Sequence, residues 1–162
     1  MKAAIVTISD TRDEDNDASG DLLVGLLSEF GAMVMGKSIV TDDKLAIQEK
    51  LTGLCYNGEI DLVVTTGGTG FGPRDSTPEA TLAVVEREVP GIAEAMRRHS
   101  ADHTPMAMLS RGVCGIRGKT LILNFPGSPK AVNECFEVVR PVLLHAIQVL
   151  SGDTRHDLEN EE

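Results

Sequence analysis

The chain has no tryptophan, one tyrosine and four phenylalanines, so its core must be built from Val, Ile, Leu, Ala and Met. Basic residues are also in short supply. Fifteen Lys and Arg face 25 Asp and Glu, for a formal net charge of -10. That balance argues against non-specific nucleic-acid binding, which needs cations against phosphates, and against a basic membrane-surface patch. It leaves phosphate ligands open, because helix N-termini and bound metals hold them locally. The three cysteines, Cys55, Cys114 and Cys135, form no CxxC pair and no zinc spacing. They read as buried thiols in a reducing compartment. No apolar run reaches the ~18 residues of a membrane span. Met1-Lys2 runs directly into a strand-like segment with no signal peptide. These absences point to a cytoplasmic protein with no nucleic-acid or membrane partner.

What is present suggests one domain over residues 1–150, followed by a polar, acidic and disordered tail over 151–162. Short apolar runs at 3–8, 33–40 and 60–66 read as strands, the first as a buried parallel one. Residues 9–17 are an acidic loop. Leucines at helical spacing over 20–30 predict a helix stopped by Gly31. Thr41 or Asp42 is expected to cap a second helix reaching Leu54. Around Ser76-Thr77-Pro78-Glu79, Thr77 can cap, Pro78 fits the first helical position and Ser76 to Glu79 has capping-box spacing. That helix should reach Glu88, with another running from Pro90-Gly91 to about His99. Residues 112–116 and 119–125 read as adjacent strands around Arg117-Gly118. Ser128-Pro129 opens a last helix, which Pro141 should kink or split before it ends near Leu150.

Strands alternating with helices predict an α/β fold, a three-layer α/β/α sandwich around a mostly parallel sheet. Ligands bind such sheets beyond the carboxyl ends of the strands. Three loops leave those ends, at 9–19, 67–76 and 126–128, and each holds glycine, small hydroxyls or carboxylates. In the second, Gly67-Gly68-Thr69-Gly70 directly follows a strand, so its backbone N–H groups can form an anion nest, with a helix N-terminus beyond. It is no P-loop. The decoy Gly118-Lys119-Thr120 lacks a glycine at Val113 and precedes a strand. The alternating Asp13, Asp15 and Asp17 lack the glycine and glutamate of a calcium loop, with Ala18 and Val24 in their places. Asp42 and Asp75 fall just past strand ends, where carboxylates bind Mg²⁺ or accept heterocycle N–H groups. Helix capping is the competing role for each, and Asp43 competes with Asp42. His99 and His103 read as a surface helix face, Arg97-Arg98 as a solvated pair. Neither Cys114 nor Cys135 has a partner that would make it a nucleophile, and no serine elbow is present.

The string TTGGTG followed by PRD-x-TPEAT resembles the glycine-rich signature of the molybdopterin adenylyltransferase family, which includes bacterial MogA and MoaB proteins and the gephyrin G domain. Three more segments match in order. They are Thr7-Ile8-Ser9-Asp10 with Asp17-Ala18-Ser19-Gly20, then Val40-Thr41-Asp42-Asp43, then Asn124-Phe125-Pro126-Gly127-Ser128-Pro129-Lys130. The resemblance implies a homotrimer or a hexamer of trimers, with the molybdenum insertase downstream as a further partner. It implies transfer of AMP from ATP to the terminal phosphate of molybdopterin, releasing pyrophosphate, with Mg²⁺ assisting. Molybdopterin is then a substrate and no permanent cofactor. By position Asp42 and Asp75 match the essential carboxylates and candidate Mg²⁺ ligands. Ser9, Asp10, Ser19, Gly67, Gly68, Thr69, Gly70 and Thr77 line the pocket, and Pro126, Gly127 and Ser128 border its nucleotide side. Arg74, Arg111 and Lys130 are the candidate cations for phosphate. Phe125 and Ser76 depart from the usual residues without removing chemistry. The opening and the PGS turn look more like the MoaB branch, some of whose members lack the carboxylates. A silent molybdopterin-binding scaffold is therefore the alternative, although this chain keeps both acids.

Overall fold

A computed structural model of the protein describes residues 1–56 and 58–152. The inner strands β1 (Lys2–Ile8), β3 (Leu62–Thr66) and β6 (Thr120–Phe125) are apolar because both their faces are covered. Side chains alternate across a strand. Ala3, Ile5, Leu62, Val64, Leu121, Leu123 and Phe125 therefore pack on one face of the sheet, and Val6, Ile8, Val63 and Ile122 on the other. The first face receives α1 (Ala18–Glu29), α4 (Pro90–Ala101) and α5 (Pro129–Ser151) through Leu23, Leu27, Met96, Phe136, Val139 and Leu143. The second receives α2 (Lys44–Cys55) and α3 (Thr77–Val84) through Ile47, Leu51, Ala80 and Val84. The result is the expected three-layer sandwich.

With β2 (Met33–Val40), β4 (Arg87–Glu88) and β5 (Cys114–Arg117), the strand order is β2-β1-β3-β6-β5-β4. β2, β1, β3 and β6 are parallel, and β5 is antiparallel to both β6 and β4. The chain after β1 leaves towards one face and the chain after β3 towards the other, while β6 feeds α5 on the first face. The loop after β3 thus sits between two loops diverging from it, which is the switch-point crevice of open α/β sheets.

Several local expectations change. Asp43, not Thr41 or Asp42, caps α2, its Oδ1 accepting from Ala46 N at 2.8 Å. Asp42 is thereby left for other contacts. Ser76 occupies the cap position of α3 but makes no side-chain cap bond, so neither the Thr77 cap nor the capping box forms. α3 stops at Val84 because Val85 turns extended (φ -73°, ψ 148°), and the chain pairs as β4 against β5. A 3₁₀ helix, Pro105–Leu109, follows α4. α5 runs unbroken through Pro141. Pro141 and Glu137, the residue four back, are both exposed, so the carbonyl deprived of its amide lies on the solvent side. Ser151 still belongs to α5 and Gly152 closes it at φ 87°. The rest of the expected tail, 153–162, lies outside the described residues. All three cysteines are buried and free. No described helix is long and apolar enough to cross a membrane.

Leu51 is fully buried where α2 meets the sheet. Leu51→Ala is expected to cost about 2–5 kcal/mol, read as a lower urea midpoint at unchanged slope.

Candidate functional site

The loop after β3 is shaped by how closely it passes its neighbours. Gly67 (φ 101°) and Gly68 (φ 64°) both take left-handed backbone conformations. A Cβ on Gly67 would collide with the Ile8 carbonyl oxygen, and one on Gly68 with Thr77 Oγ1. Gly67 N donates to Phe125 O at 3.1 Å, tying the loop to β6. Thr77 holds it from the α3 side, its Oγ1 donating to Gly67 O at 2.9 Å and its N to Gly68 O at 3.1 Å. Arg111 clamps the far limb. Its backbone N reaches Thr69 O at 2.8 Å, its Nε Gly70 O at 2.7 Å and its Nη2 Asp75 O at 2.9 Å. Its Nη1 pairs with Glu79. Thr77 and Arg111 are thus committed to building the loop.

On the side of the loop facing β1 stands a charged group of side chains. Asp10 and Asp42 pair reciprocally, Asp10 N with Asp42 Oδ2 at 2.9 Å and Asp42 N with Asp10 Oδ1 at 3.0 Å. Arg74 donates twice to Asp10, at 2.9 and 3.1 Å, which holds that carboxyl below its usual range, helped by the Asp42 amide. Asp42 behaves oppositely. Burial raises its pKa, and the nearby Asp10 and Asp75 carboxylates add to the rise against the Asp10 amide. Asp42 Oδ1 would lie 3.1 Å from a Cβ on Gly68. Asp75 accepts from Gly72 N at 3.0 Å, and its Oδ2 would lie 2.9 Å from a Cβ on Gly70. Both carboxylates therefore flank the glycine loop. Among the described residues no cluster of three or more His, Cys, Asp or Glu forms a metal cage. Two acids beside a phosphate nest do suit Mg²⁺, which takes one or two carboxylates together with substrate phosphates.

On the other side of the loop opens a cleft of about 420 Å³. Of the expected residues, Gly67, Gly68, Thr69, Gly70, Asp75, Pro126, Gly127 and Ser128 line it. Ser9 and Ser19 brace it instead. Ser9 Oγ accepts from the amides of Thr11 and Arg12, and Ser19 Oγ donates to Gly127 O at 2.7 Å. Arg12 grips the same carbonyl at 2.6 Å, with the fully buried Asp17 3.6 Å away. Lys130 is 83% exposed, 3.9 Å from Glu134, and does not line the cleft. The remaining wall comes from α4, the 3₁₀ helix and α5, with Met96, Met106 and Leu109 as apolar surface and Ser100, Ser110, Asn124 and Glu134 as polar groups. Sequence reasoning missed all of these. Only Asn124 carried a signal, as the first residue of the Asn-Phe-Pro-Gly-Ser-Pro-Lys segment. Burial pushes the Cys135 thiol of this wall up to about 11, so it is neutral. Arg97 is also part of the wall. It is half-buried, and its Nη1 donates to Gly112 O at 2.7 Å, which corrects the reading of Arg97-Arg98 as a solvated pair. Arg98 alone is exposed.

The family described as "Probable molybdopterin binding domain" matches residues 4–145. A protein named molybdopterin adenylyltransferase from Helicobacter pylori is 42% identical over 139 residues, covering 85% of this chain and 79% of that protein. The Drosophila melanogaster molybdenum cofactor synthesis protein cinnamon is 45% identical over 153 residues. That match takes in 92% of this chain, which spans only 25% of the fly protein. Among solved structures, the Thermus thermophilus molybdopterin biosynthesis enzyme MoaB superposes with a TM-score of 0.86 at 44% identity, covering 93% of this chain and 96% of the other.

The raised pKa of Asp42 has a thermodynamic consequence. A carboxyl whose folded pKa exceeds its unfolded value costs stability once it ionises. The cost is absent well below the ordinary value of 3.8 and complete above the raised one. Asp42→Asn is therefore expected to raise the urea midpoint at pH 7 and to leave it unchanged near pH 3. Asp10, with its lowered pKa, has the opposite sign, and its contribution is lost as pH falls through that value.

Proposed function

The chain belongs to the probable molybdopterin-binding domain family, and on that premise we propose that it is a molybdopterin adenylyltransferase acting in molybdenum cofactor biosynthesis. A terminal phosphate oxygen of molybdopterin attacks the α-phosphorus of ATP. The new P–O bond gives adenylyl-molybdopterin, and the bond to the β-phosphate oxygen breaks to release pyrophosphate. One observation carries the reading. The nest of residues 68–70, backed by the N-terminus of α3, opens into a cleft large enough for a heterocycle and carries a carboxylate on each flank.

Transfer of this kind asks for positioning and charge neutralisation more than for covalent help from the protein. The nest amides seat phosphate oxygens. The apolar surface of Met96, Met106 and Leu109 takes the flat ring and excludes water from it. Asp42 and Asp75 would hold Mg²⁺, which supplies charge neutralisation on the phosphates when bound. The homotrimer or hexamer of trimers implied by the family resemblance, and the cytoplasmic location suggested by the composition, are part of the same proposal.

A second reading, molybdopterin binding without adenylyl transfer, is favoured by one observation. All three cations first assigned to phosphate have partners within the protein: Arg74 on Asp10, Arg111 on the loop carbonyls and Glu79, and Lys130 beside Glu134. Incubation with molybdopterin, ATP and Mg²⁺ separates the two. The adenylate and stoichiometric pyrophosphate are expected, and molybdopterin binding without pyrophosphate release would leave the scaffold reading. Asp75→Asn is expected to lower turnover about 100-fold, the scale for losing one preorganised charge-handling group, with an unchanged melting profile. Wild-type turnover in that variant would remove Asp75 from the chemistry.

A further inference from the structure

The proposed function puts an anion in the cleft, yet the cations expected to hold it are engaged elsewhere. Arg74 is 61% exposed and bound to Asp10 on the β1 side of the glycine loop. Arg111 uses its Nε, Nη1 and Nη2 on Gly70, Glu79 and Asp75. Lys130 lies outside the cleft. Among the described residues lining it, the charged side chains are Asp75, Glu134 and Arg97. Arg97 is thus the single cation of the wall.

Its placement is specific. Arg97 lies on the last turns of α4, between the buried Met96 and Ser100. Its Nη1 donates to Gly112 O at 2.7 Å. Gly112 directly follows Arg111, whose backbone amide is bonded to Thr69 O in the nest. A Cβ on Gly112 would lie 3.0 Å from Asn124 O, so this segment is pressed against the end of β6. The guanidinium is therefore anchored one residue from a strand of backbone that itself holds the nest. A guanidinium has five N–H donors, and one carbonyl leaves most of them for a ligand. Planar, always charged and pre-organised, it suits a phosphate better than a lysine would.

We propose that Arg97 is the cation that binds the phosphate seated on residues 68–70, completing from α4 a site whose other donors are backbone amides. The inference builds on the adenylyltransferase reading but concerns a phosphate of either substrate, and the test separates them. Affinities for inorganic pyrophosphate, molybdopterin and ATP are measured by calorimetry on the wild-type protein, Arg97→Gln, Arg97→Lys and Arg98→Gln, with thermal melts confirming the fold. Pyrophosphate should bind Arg97→Gln about tenfold more weakly, the size of one charge-assisted hydrogen-bonded contact. Arg97→Lys should fall between, and Arg98→Gln, which removes the same charge from an exposed neighbour, should stay within about twofold of wild type. The dependence of affinity on salt should be shallower in Arg97→Gln. A parallel loss for molybdopterin alone assigns the phosphate to the pterin, and for ATP alone to the nucleotide. Equal pyrophosphate affinity in wild type and Arg97→Gln, equal losses in the Arg97 and Arg98 glutamine variants, or no pyrophosphate binding at all would overturn the inference. Pyrophosphate binding that depends on Arg97, without any molybdopterin binding, would instead refute the adenylyltransferase reading and leave this one standing.

Discussion

The carboxyl end of the sheet is organised by the close passage of the Gly67-Gly68 backbone between Ile8 and Thr77. With β1 and β3 adjacent and parallel, the chain leaving β3 must clear the last carbonyl of β1, and only residues without a Cβ can do so at these positive φ values. The Gly67 amide still bonds Phe125 O, and beyond it the amides of residues 68–70 have no partner among the described residues. Around it the strands change character. Thr7, Thr65, Thr66 and Asn124 are buried polar residues in otherwise apolar strands, and each spends its side chain on a neighbour. Thr7 bonds Asp17 at 2.7 Å and Thr66 bonds Pro126 O at 2.7 Å. Asn124 donates to Thr65 and Thr81 and accepts from Val113 N. A satisfied buried network of this kind is rigid because any partial version leaves unpaired groups. Rigidity here is what fixes the three loops relative to one another.

The same economy explains how a chain of net charge -10 can present a phosphate site. Three of its nine arginines are used as fasteners between loops. Arg12 joins the first loop to Gly127, Arg111 joins the 3₁₀ region to the glycine loop, and Arg74 joins that loop to Asp10. On the proposed function, phosphate recognition falls largely to backbone amides, which carry no charge to be repelled by the surrounding acids and cost little reorganisation. Asp42 remains as an acid held at a disadvantage by burial and by two like neighbours. Such unfavourable placement is a common mark of functional carboxylates.

The parts of this arrangement that were legible in the sequence are those written in local chemistry. Buried strands show as apolar runs, and the nest shows as glycines directly after one of them. Ser128-Pro129 reads correctly as a helix start because Ser128 Oγ accepts from Ala131 N. The failures have a shared cause in tertiary competition. Thr77 looks like a cap, but Gly67 O lies within 2.9 Å and takes its hydroxyl. Asp42 looks like a cap, but the Asp10 amide claims it and Asp43 does the capping. Pro141 looks like a break, but it falls on the exposed side of a helix whose other side is buried in the core through Val132, Phe136, Val139 and Leu143. Arg97, Ser100 and Ser110 had no local signal, since only the packing of α4 against α5 and the 3₁₀ helix brings them to the cleft.

Gly68 stands between the cleft and the charged group beside β1. It lines the cleft, and on its other side a Cβ would come within 3.1 Å of Asp42 Oδ1. The glycine loop is therefore a wall one residue thick at that point. On one side lies the cleft with its apolar surface and Arg97. On the other lies the pair of Asp10 and Asp42 with Arg74. Asp75 returns to the cleft side beyond Gly70 while its charge still acts on Asp42. A reaction that joins two phosphorylated molecules needs their phosphates to meet at a place each can reach from its own direction. On the proposed function a wall made of glycine suits such a meeting, because it puts no side chain between the cleft and the carboxylate of Asp42.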